Sequence, residues 1–539
     1  MTERKPTIPI LLVLLAMLLG VMLGVMYAPK LDPAYWHRTE GSALADRFST
    51  MLTIVDRHYV EPIDADSLSD QMMNAMLSSL DPHSRYLPPK EMKQEAELIR
   101  GNFEGIGVVL FYYGDTVYAG EVMAGSPAAR AGVHPGDRIM YVDSTLVSGS
   151  GMCDSGTAVV NLIRGPRFST VTLRVQRGYA DGLTDIKIRR DIIDHHSIHA
   201  AVMLDKNTGY IYISNFSTST GTEFRAALTS LLHQGMQNLV LDLRGNGGGV
   251  LQSSIDVADE LLAEGELIVY TEGAHDRRRN IYATRGGLFE QGGLAILIDE
   301  FSASASEVVS GAVQDNDRGT NLGRRSFGKG LVQQQFDLPG GAAMMLTIAR
   351  YHSPSGRCIQ RPYDKGSDEY YTQYLMRLLS DNSATDSLLE SKNDTTQRFL
   401  TKQGRTVYGG GGIMPDKPLP YLRDTDYVYL NRLVNQRVLQ EAVYDHLFDR
   451  YDDLVRLYPS ADAFEKNFLV DEATWQRILR KADGKGIPHS PSSIRKYGTE
   501  IRGRYKAYLA RALYNENAFY RIVIPYDNEI QQAHKAAKQ

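Results

Sequence analysis

A chain of 539 residues, 43% of them hydrophobic, has material for three or four domains with proper cores. Its formal net charge of −5 offers no basic footprint for nucleic acid. Its two cysteines, Cys153 and Cys358, match no metal spacing and read as small buried hydrophobes rather than as a disulfide.

Residues 7–28, TIPILLVLLAMLLGVMLGVMYA, carry no charge. As a helix such a run is about 30 Å long, enough to cross a bilayer. Arg4 and Lys5 precede it, which puts the N-terminus in the cytoplasm and everything after it outside. The rival is a cleaved signal peptide, but the stretch exceeds a signal core of roughly 7–15 residues and MYAPK is a poor small-x-small cleavage site. A retained anchor with a short cytoplasmic tip is expected over residues 1–30.

Residues 40–80 place apolar positions at helical spacing, as in ALADRFSTMLTIVDRHYV and DSLSDQMMNAMLSSL, and predict an N-terminal helical segment over 40–90. The prolines of DPHSRYLPP (81–89) end it. Residues 101–178 look like a small β-rich module. GNFEGIGVVLFYYGDTVYAGEV reads as two strands around a Gly-Asp turn, PAARAG as a short helix and STVTLRVQRG as a further strand. Gly105-Ile106-Gly107-Val108 followed by PAARAGVHPGDRI resembles a PDZ domain, placed at 91–180. That resemblance implies that Gly105, Ile106, Gly107 and Val108 offer backbone N–H groups to the terminal carboxylate of a peptide, which adds a strand to the sheet edge.

Residues 209–350 alternate strands and helices: GYIYISNF, EFRAALTSLLHQG, NLVLDL, a glycine turn, SSIDVADELLAEG, ELIVY and LAILID. This predicts an α/β layered core with a buried, largely apolar sheet. LVQQQFDLPGGAAMMLTIARYH reads as a strand pair joined at Pro-Gly-Gly. The polar stretch from about 365 to 400 reads as an insertion or linker. From 426 to 539 the chain turns helical, rich in tyrosine and charge, and is expected to form a separate domain to which no chemistry is assigned.

The chemistry lies in FSASASEVVSGAVQDN (301–316) and GRRSFGKGLVQQQF (323–336). The first follows the strand LAILID and can turn tightly into a helix beginning near Ala305. A serine on that turn has helix N–H groups behind it, the nucleophile-plus-oxyanion arrangement that acyl transfer needs. Ser302, Ser304 and Ser306 all qualify, and local physics does not choose between them. The second segment supplies Lys329, flanked by glycines and preceded by Phe327, which suits a lysine directed inward. Burial disfavours the ammonium, so the neutral amine becomes available as a general base. Gln333, four residues on, can orient that amine without adding charge.

LVLDLRGNGGGVL (239–251) runs from a buried strand into Gly245-Asn246-Gly247-Gly248-Gly249, whose N–H groups can face a ligand oxygen. A dinucleotide fingerprint fails because Val250 holds its last position. GRRSFGKG mimics a phosphate loop, but Gly330 stands where magnesium needs Ser or Thr, and a strand pattern follows. His195, His196 and His199 read as a solvated linker, and His352 is kept as a rival base. No HExxH and no Cys/His cluster occurs, so neither a metal nor another cofactor is indicated.

In this order DPHSRYL, FEGIGV, DLRGNGGG, SASASE, FGKGLVQ, ARYHSPSGR and GRTVYGGGGIMPD (404–416) strongly resemble the carboxyl-terminal processing, or tail-specific, proteases. The resemblance spans roughly residues 40–425. It implies an α/β multidomain protein: a membrane anchor, a PDZ module, a ClpP/crotonase-like serine protease core at 190–425 carrying the 365–400 insertion, and then the helical tail. Residue by residue it implies Ser304, three positions before Glu307, as nucleophile, Lys329 as base and Gln333 as the third member. Backbone N–H groups of Gly249 and Ala305 are implied as oxyanion donors. Cys358 stands where relatives more often carry serine or threonine. Arg138 and Arg164 are candidate switch contacts of a PDZ module that gates the site. The tail suggests a homo-oligomer or an activating partner. The expectation is a periplasm-facing endopeptidase of the inner membrane that captures unstructured apolar C-termini of protein substrates. The alternative is a catalytically silent PDZ scaffold, and a third reading uses His352 as base.

Overall fold

The computed structural model describes residues 38–152, 156–179, 182–379, 397–420 and 424–539. The predicted anchor and Cys153 lie outside them, and among the described residues no helix is long and apolar enough to cross a membrane. Cys358 is a free, half-buried thiol. The described residues divide into two compact units at the step from Met76 to Leu77. In the first, helix Arg38–His58 is followed by the start of helix Ala65–Ser78, where the Asp64 carboxylate accepts the N–H groups of Asp66 and Ser67.

The second unit is built on a six-stranded sheet, in the order Ile198–Met203, Thr208–Ile213, Asn238–Asp242, Gly293–Ile298, Thr320–Gly323 and Lys417–Pro418. Its first pair is antiparallel and the remainder parallel. The two central strands carry unbroken apolar runs, Leu239–Leu241 and Leu294–Ile298, because both faces are covered. Leu239, Leu241, Ile296 and Ile298 point to one side, into a core shared with helices Thr220–His233, Leu251–Asp259 and Ala305–Asp315. Val240, Ala295 and Leu297 point to the other, against Ile524, Ile530, Ala533 and Ala537 from the end of the chain. The final helix, Asn528–Ala537, is therefore a layer of this core rather than part of a domain standing apart. A second sheet contains Arg85–Leu87, Ala343–His352, Leu267–Glu272 and Arg279–Tyr282, with Leu331–Asp337 also paired on Ala343–His352.

The β-rich module is an antiparallel sheet of Val108–Tyr113, Thr116–Val122, Arg138–Val142, Thr170–Gln176 and Thr184–Arg189, with Val108–Tyr113 at one edge. Three strands, not two, span residues 102–122: Asn102–Gly105 leaves the hairpin to pair with Asp191–Asp194, closing the module where the chain enters and leaves it. The break falls at Gly107, whose φ of +79° suits glycine and where a side chain would collide with Cβ of Ser126 at 2.3 Å.

The stretch expected to be an insertion or linker opens as helix Ser367–Leu379, and residues 380–396 lie outside the described set. Six of the seven helices between Thr425 and Ala537 begin at a Ser, Asp or Asn whose side chain accepts an N–H of the first turn: Asp424, Ser460, Asp471, Ser490, Asn515 and Asp527.

Candidate active site

Strand Gly293–Ile298 delivers the chain to Asp299, whose carboxylate accepts the N–H groups of Gly245, Phe301 and Ser302. That clasp fixes the turn entering helix Ala305–Asp315. The three candidate serines then separate. Ser302 and Ser306 are fully buried, and their hydroxyls donate to the carbonyls of Leu243 and Asn246 at 2.8 and 2.9 Å. Ser304 alone is half-buried, on a left-handed backbone with φ of +52° at the head of the helix. A non-glycine residue pays such strain only where its surroundings hold it. Here the Ser304 N–H donates to Oε2 of Glu307 at 2.8 Å and the Ala303 N–H donates to the Asn246 carbonyl at 3.0 Å.

Glu307, 1% exposed, joins this turn to the lysine segment. Besides Ser304 it accepts the Ser326 hydroxyl at 2.5 Å, the Gly328 N–H at 2.7 Å and the Lys329 N–H at 2.9 Å. Because Ser304 and Lys329 bond the same oxygen, their backbones lie within two hydrogen-bond lengths of each other. Burial pushes the Glu307 carboxyl up, and its four donors oppose that shift. Tyr351 adds a second tie: its buried hydroxyl lies 3.1 Å from the Ser304 carbonyl and 2.5 Å from that of Lys329. In the sequence Glu307 stands only as a motif landmark and Tyr351 is not marked at all. The Ser-x-x-Glu spacing of a helix capping box was the available signal for Glu307. For Tyr351 there was none.

The Lys329 ammonium is disfavoured first by burial and then by the Arg85 guanidinium, so its pKa lies below the ordinary lysine value. Its Nζ donates to Oε1 of Gln333 at 2.7 Å, and Nε2 of Gln333 donates to the His83 carbonyl at 2.5 Å. The second bond fixes which way the amide faces. DPHSRYL therefore does more than end a helix. Asp81 accepts the N–H groups of His83 and Ser84 and the Ser84 hydroxyl, forming the turn that presents the His83 carbonyl.

The glycine loop presses on the serine turn. A side chain on Gly248 would sit 2.8 Å from Cβ of Ser304 and 3.1 Å from the Ala305 nitrogen. The Gly248 N–H is held by Oδ1 of Asn246 at 2.9 Å. The N–H groups of Gly249 and Ala305 have no hydrogen-bond partner among the described residues. Gly249 itself adopts φ of +138° against Phe216.

The rival histidine points elsewhere. Neighbours in a strand face opposite ways, and with Tyr351 turned to Ser304, His352 stacks on Tyr270 at 4.6 Å and faces the Gly356 carbonyl. His83 is near the amine, but burial and then Lys329 push its imidazole down to about 3. His195 and His199 are not a solvated linker: both are half-buried, and His199 lies on strand Ile198–Met203 edge-on to Tyr212.

Gly105 to Val108 lie in the β-rich module. Ile106 is buried in the module core, and the Ile106 and Gly107 carbonyls accept the N–H groups of Ala128 and Met123 at 2.9 Å. Arg138 lies 3.6 Å over the Phe448 ring and Arg164 pairs with Glu97 at 2.8 Å. Among the described residues no group of His, Cys, Asp and Glu could hold a metal ion.

Residues 207–365 match the model of peptidase family S41, 118–177 that of the PDZ domain and 429–515 a family of unknown function. The carboxy-terminal-processing protease of Bartonella bacilliformis is 36% identical over 318 residues, covering 58% of this chain and 72% of its own. That of Picosynechococcus is 32% identical over 299 residues, covering 54% of this chain and 70% of its own. The solved photosystem II D1 C-terminal processing protease is 26% identical, with 69% of this chain and 86% of that one covered and a TM-score of 0.35. The chain is a serine-type peptidase that carries a PDZ domain. It belongs to the carboxy-terminal-processing proteases of peptidase family S41.

Proposed function

We propose that the chain is an endopeptidase with Ser304 as nucleophile, Lys329 as general base and Gln333 as the group that orients it. The observation that carries this reading is the buried Lys329 amine, bonded to Gln333 and tied through Glu307 to the turn bearing Ser304. Gln333 takes one N–H of the neutral amine, which leaves the lone pair for the serine proton. Ser304 Oγ attacks the scissile carbonyl as Lys329 removes its proton. Lys329 returns that proton to the leaving amine, and water then hydrolyses the acyl-enzyme. The N–H groups of Gly249 and Ala305 receive the oxyanion, each worth about 3–4 kcal/mol of transition-state stabilisation.

The substrates are proteins with unstructured, apolar C-termini. The PDZ domain captures such a tail along the edge strand Val108–Tyr113, with Gly105, Ile106, Gly107 and Val108 at its carboxylate. Residues 7–28 anchor the chain in the inner membrane with the peptidase in the periplasm.

The test is cleavage of an unstructured protein with an apolar C-terminus by wild type, Ser304→Ala and Lys329→Ala, with tail binding measured alongside. Both variants are expected to lose turnover and keep the tail. Turnover surviving in Lys329→Ala rejects the base, and a wild type that binds without cutting returns the chain to the scaffold reading. For the anchor, externally added protease should degrade the chain in spheroplasts, and an alkaline wash should leave it with the membrane. Release by the wash rejects the anchor.

A further inference from the structure

Arg244 stands between the buried strand Asn238–Asp242 and the glycine loop, five positions before Gly249. Its side chain, 18% exposed, is surrounded by carboxylates. Asp242 bonds Nη2 at 2.6 Å, Asp527 bonds Nη2 at 3.1 Å, and Glu529 bonds Nη1 through Oε2 at 2.8 Å. The other oxygen of Glu529 bonds Arg324, whose Nε also reaches Glu300 at 2.8 Å. Arg324 lies five positions before Lys329, and its N–H donates to the Ile298 carbonyl at 3.0 Å. One carboxylate from the end of the chain is thus shared by the roots of both loops of the site.

The mount is rigid. Asp527 caps the final helix by accepting the N–H groups of Glu529 and Ile530. Ile530, Ala533 and Ala537 are buried against the sheet. The Ala537 carbonyl lies so close to Gly293 that a Cβ there would sit 1.6 Å from it. The side chains of Arg244, Arg324, Asp527 and Glu529 are only 17–27% exposed, so loss of a partner is less readily made good by water than in a surface pair.

We infer that Asp527 and Glu529 are positioning residues of the active site, holding the oxyanion-donor loop through Arg244 and the lysine loop through Arg324. The inference rests on the serine–lysine reading above and gives the first turn of the final helix a part in that chemistry. A displacement of about 1 Å in either loop is enough to cost a large factor in rate while substrate binding is unchanged.

The experiment uses the full chain carrying Glu529→Gln or Asp527→Asn. It measures kcat and KM on the unstructured protein substrate, the rate of Ser304 acylation by a fluorophosphonate, and tail-peptide affinity. Rates are normalised to folded protein by the plateau of acylation. The expected result is a drop of about 10- to 100-fold in kcat and in acylation rate together, with KM and tail affinity within about twofold of wild type. A kcat per folded molecule within about twofold of wild type in both variants overturns the inference and leaves a network that only stabilises the fold. Should Asp527→Asn not fold, Glu529→Gln decides alone, because it keeps the shape and one acceptor. Ser304→Ala in the same assay separates the two readings: turnover there sinks the serine–lysine reading and this inference with it. A dead Ser304→Ala beside unimpaired Glu529→Gln sinks this inference only.

Discussion

Glu307 and Lys329 are both buried ionisable groups, and each loses the free energy of hydration when charged. For Glu307 four donors offset that loss. A glutamine there turns an NH2 group toward donors, so Glu307→Gln is expected to cost about 3–5 kcal/mol of stability and to lower kcat beyond what that accounts for. Thermal unfolding alongside kcat per folded molecule checks it. Lys329 is compensated less: its Nζ has the bond to Gln333, and Glu95 only partly opposes burial and Arg85. Its folded pKa is lowered, so the unfolded chain binds the proton more readily, and stability rises with pH from the lowered folded value up to the ordinary lysine value. Lys329→Met should therefore raise Tm at neutral pH while removing turnover by roughly 10²–10⁴-fold. The kcat/KM of wild type should climb with pH through the lowered Lys329 pKa. Arg85 depresses that pKa and Glu95 raises it. Arg85→Ala must therefore move the climb to higher pH and Glu95→Ala to lower pH. Shifts of the same sign, or none, would reject Lys329 as the group observed. Residue identity was legible in the sequence only up to chemistry. Three serines fit one turn, and the choice between them is made by the Leu243 and Asn246 carbonyls, which come from a strand and loop some sixty residues upstream.

Among elements, the glycine loop and the turn at Asp81 show why motif reading reaches some parts of a site and not others. The sequence marks Gly245 to Gly249 as a place where backbone meets a ligand, but not which glycine is spent on packing. Gly248 has φ of +100° and faces the Ala303 carbonyl and Cβ of Ser304 where a methyl would lie at 2.8 Å from each. Gly248→Ala is expected to displace the serine turn and reduce kcat by about 100-fold or more, with a stability loss of roughly 1–3 kcal/mol. Wild-type turnover in that variant would show that the loop yields without moving Ser304. The Asp81 turn is local chemistry with a remote effect: it shapes residues 81–84, yet its consequence is the amide of Gln333. Asp81→Ala should lower kcat by about 10-fold, with the tail still bound at wild-type affinity. Helix Ser367–Leu379 is hard to read from the sequence for a different reason. Its sequence is polar and tyrosine-rich, and it is held by tertiary bonds from Ser367, Tyr371 and Tyr374 to the Ser78, Pro82 and Glu300 carbonyls.

For the molecule as a whole, the unexpected result is that the PDZ domain and the C-terminal helices share one core. Alternation along the edge strand divides its side chains: Leu110 and Tyr112 pack into the PDZ core, Phe111 and Tyr113 onto the helices. The sequence shows that alternation but not that a helical face waits on its far side, because an antiparallel sheet commonly leaves one face to water. Tyr444 is the centre of this contact, with its ring 4.3 Å from Phe111 and 6.1 Å from Tyr118. Its hydroxyl stands where only glycine fits at position 120: a Cβ there would come within 3.0 Å. Tyr444→Ala removes the backing of the strand proposed to receive the substrate tail. The variant is expected to lose about 3–5 kcal/mol and to bind a tail peptide more weakly than wild type, while acylation of Ser304 by a small fluorophosphonate proceeds unchanged. Calorimetry supplies the deciding comparison, since a shared core requires the PDZ domain and the helices to unfold in one transition. If they melt separately in wild type, or if Tyr444→Ala lowers Tm without touching tail affinity, the helices support the fold but do not hold the PDZ edge in place for its ligand.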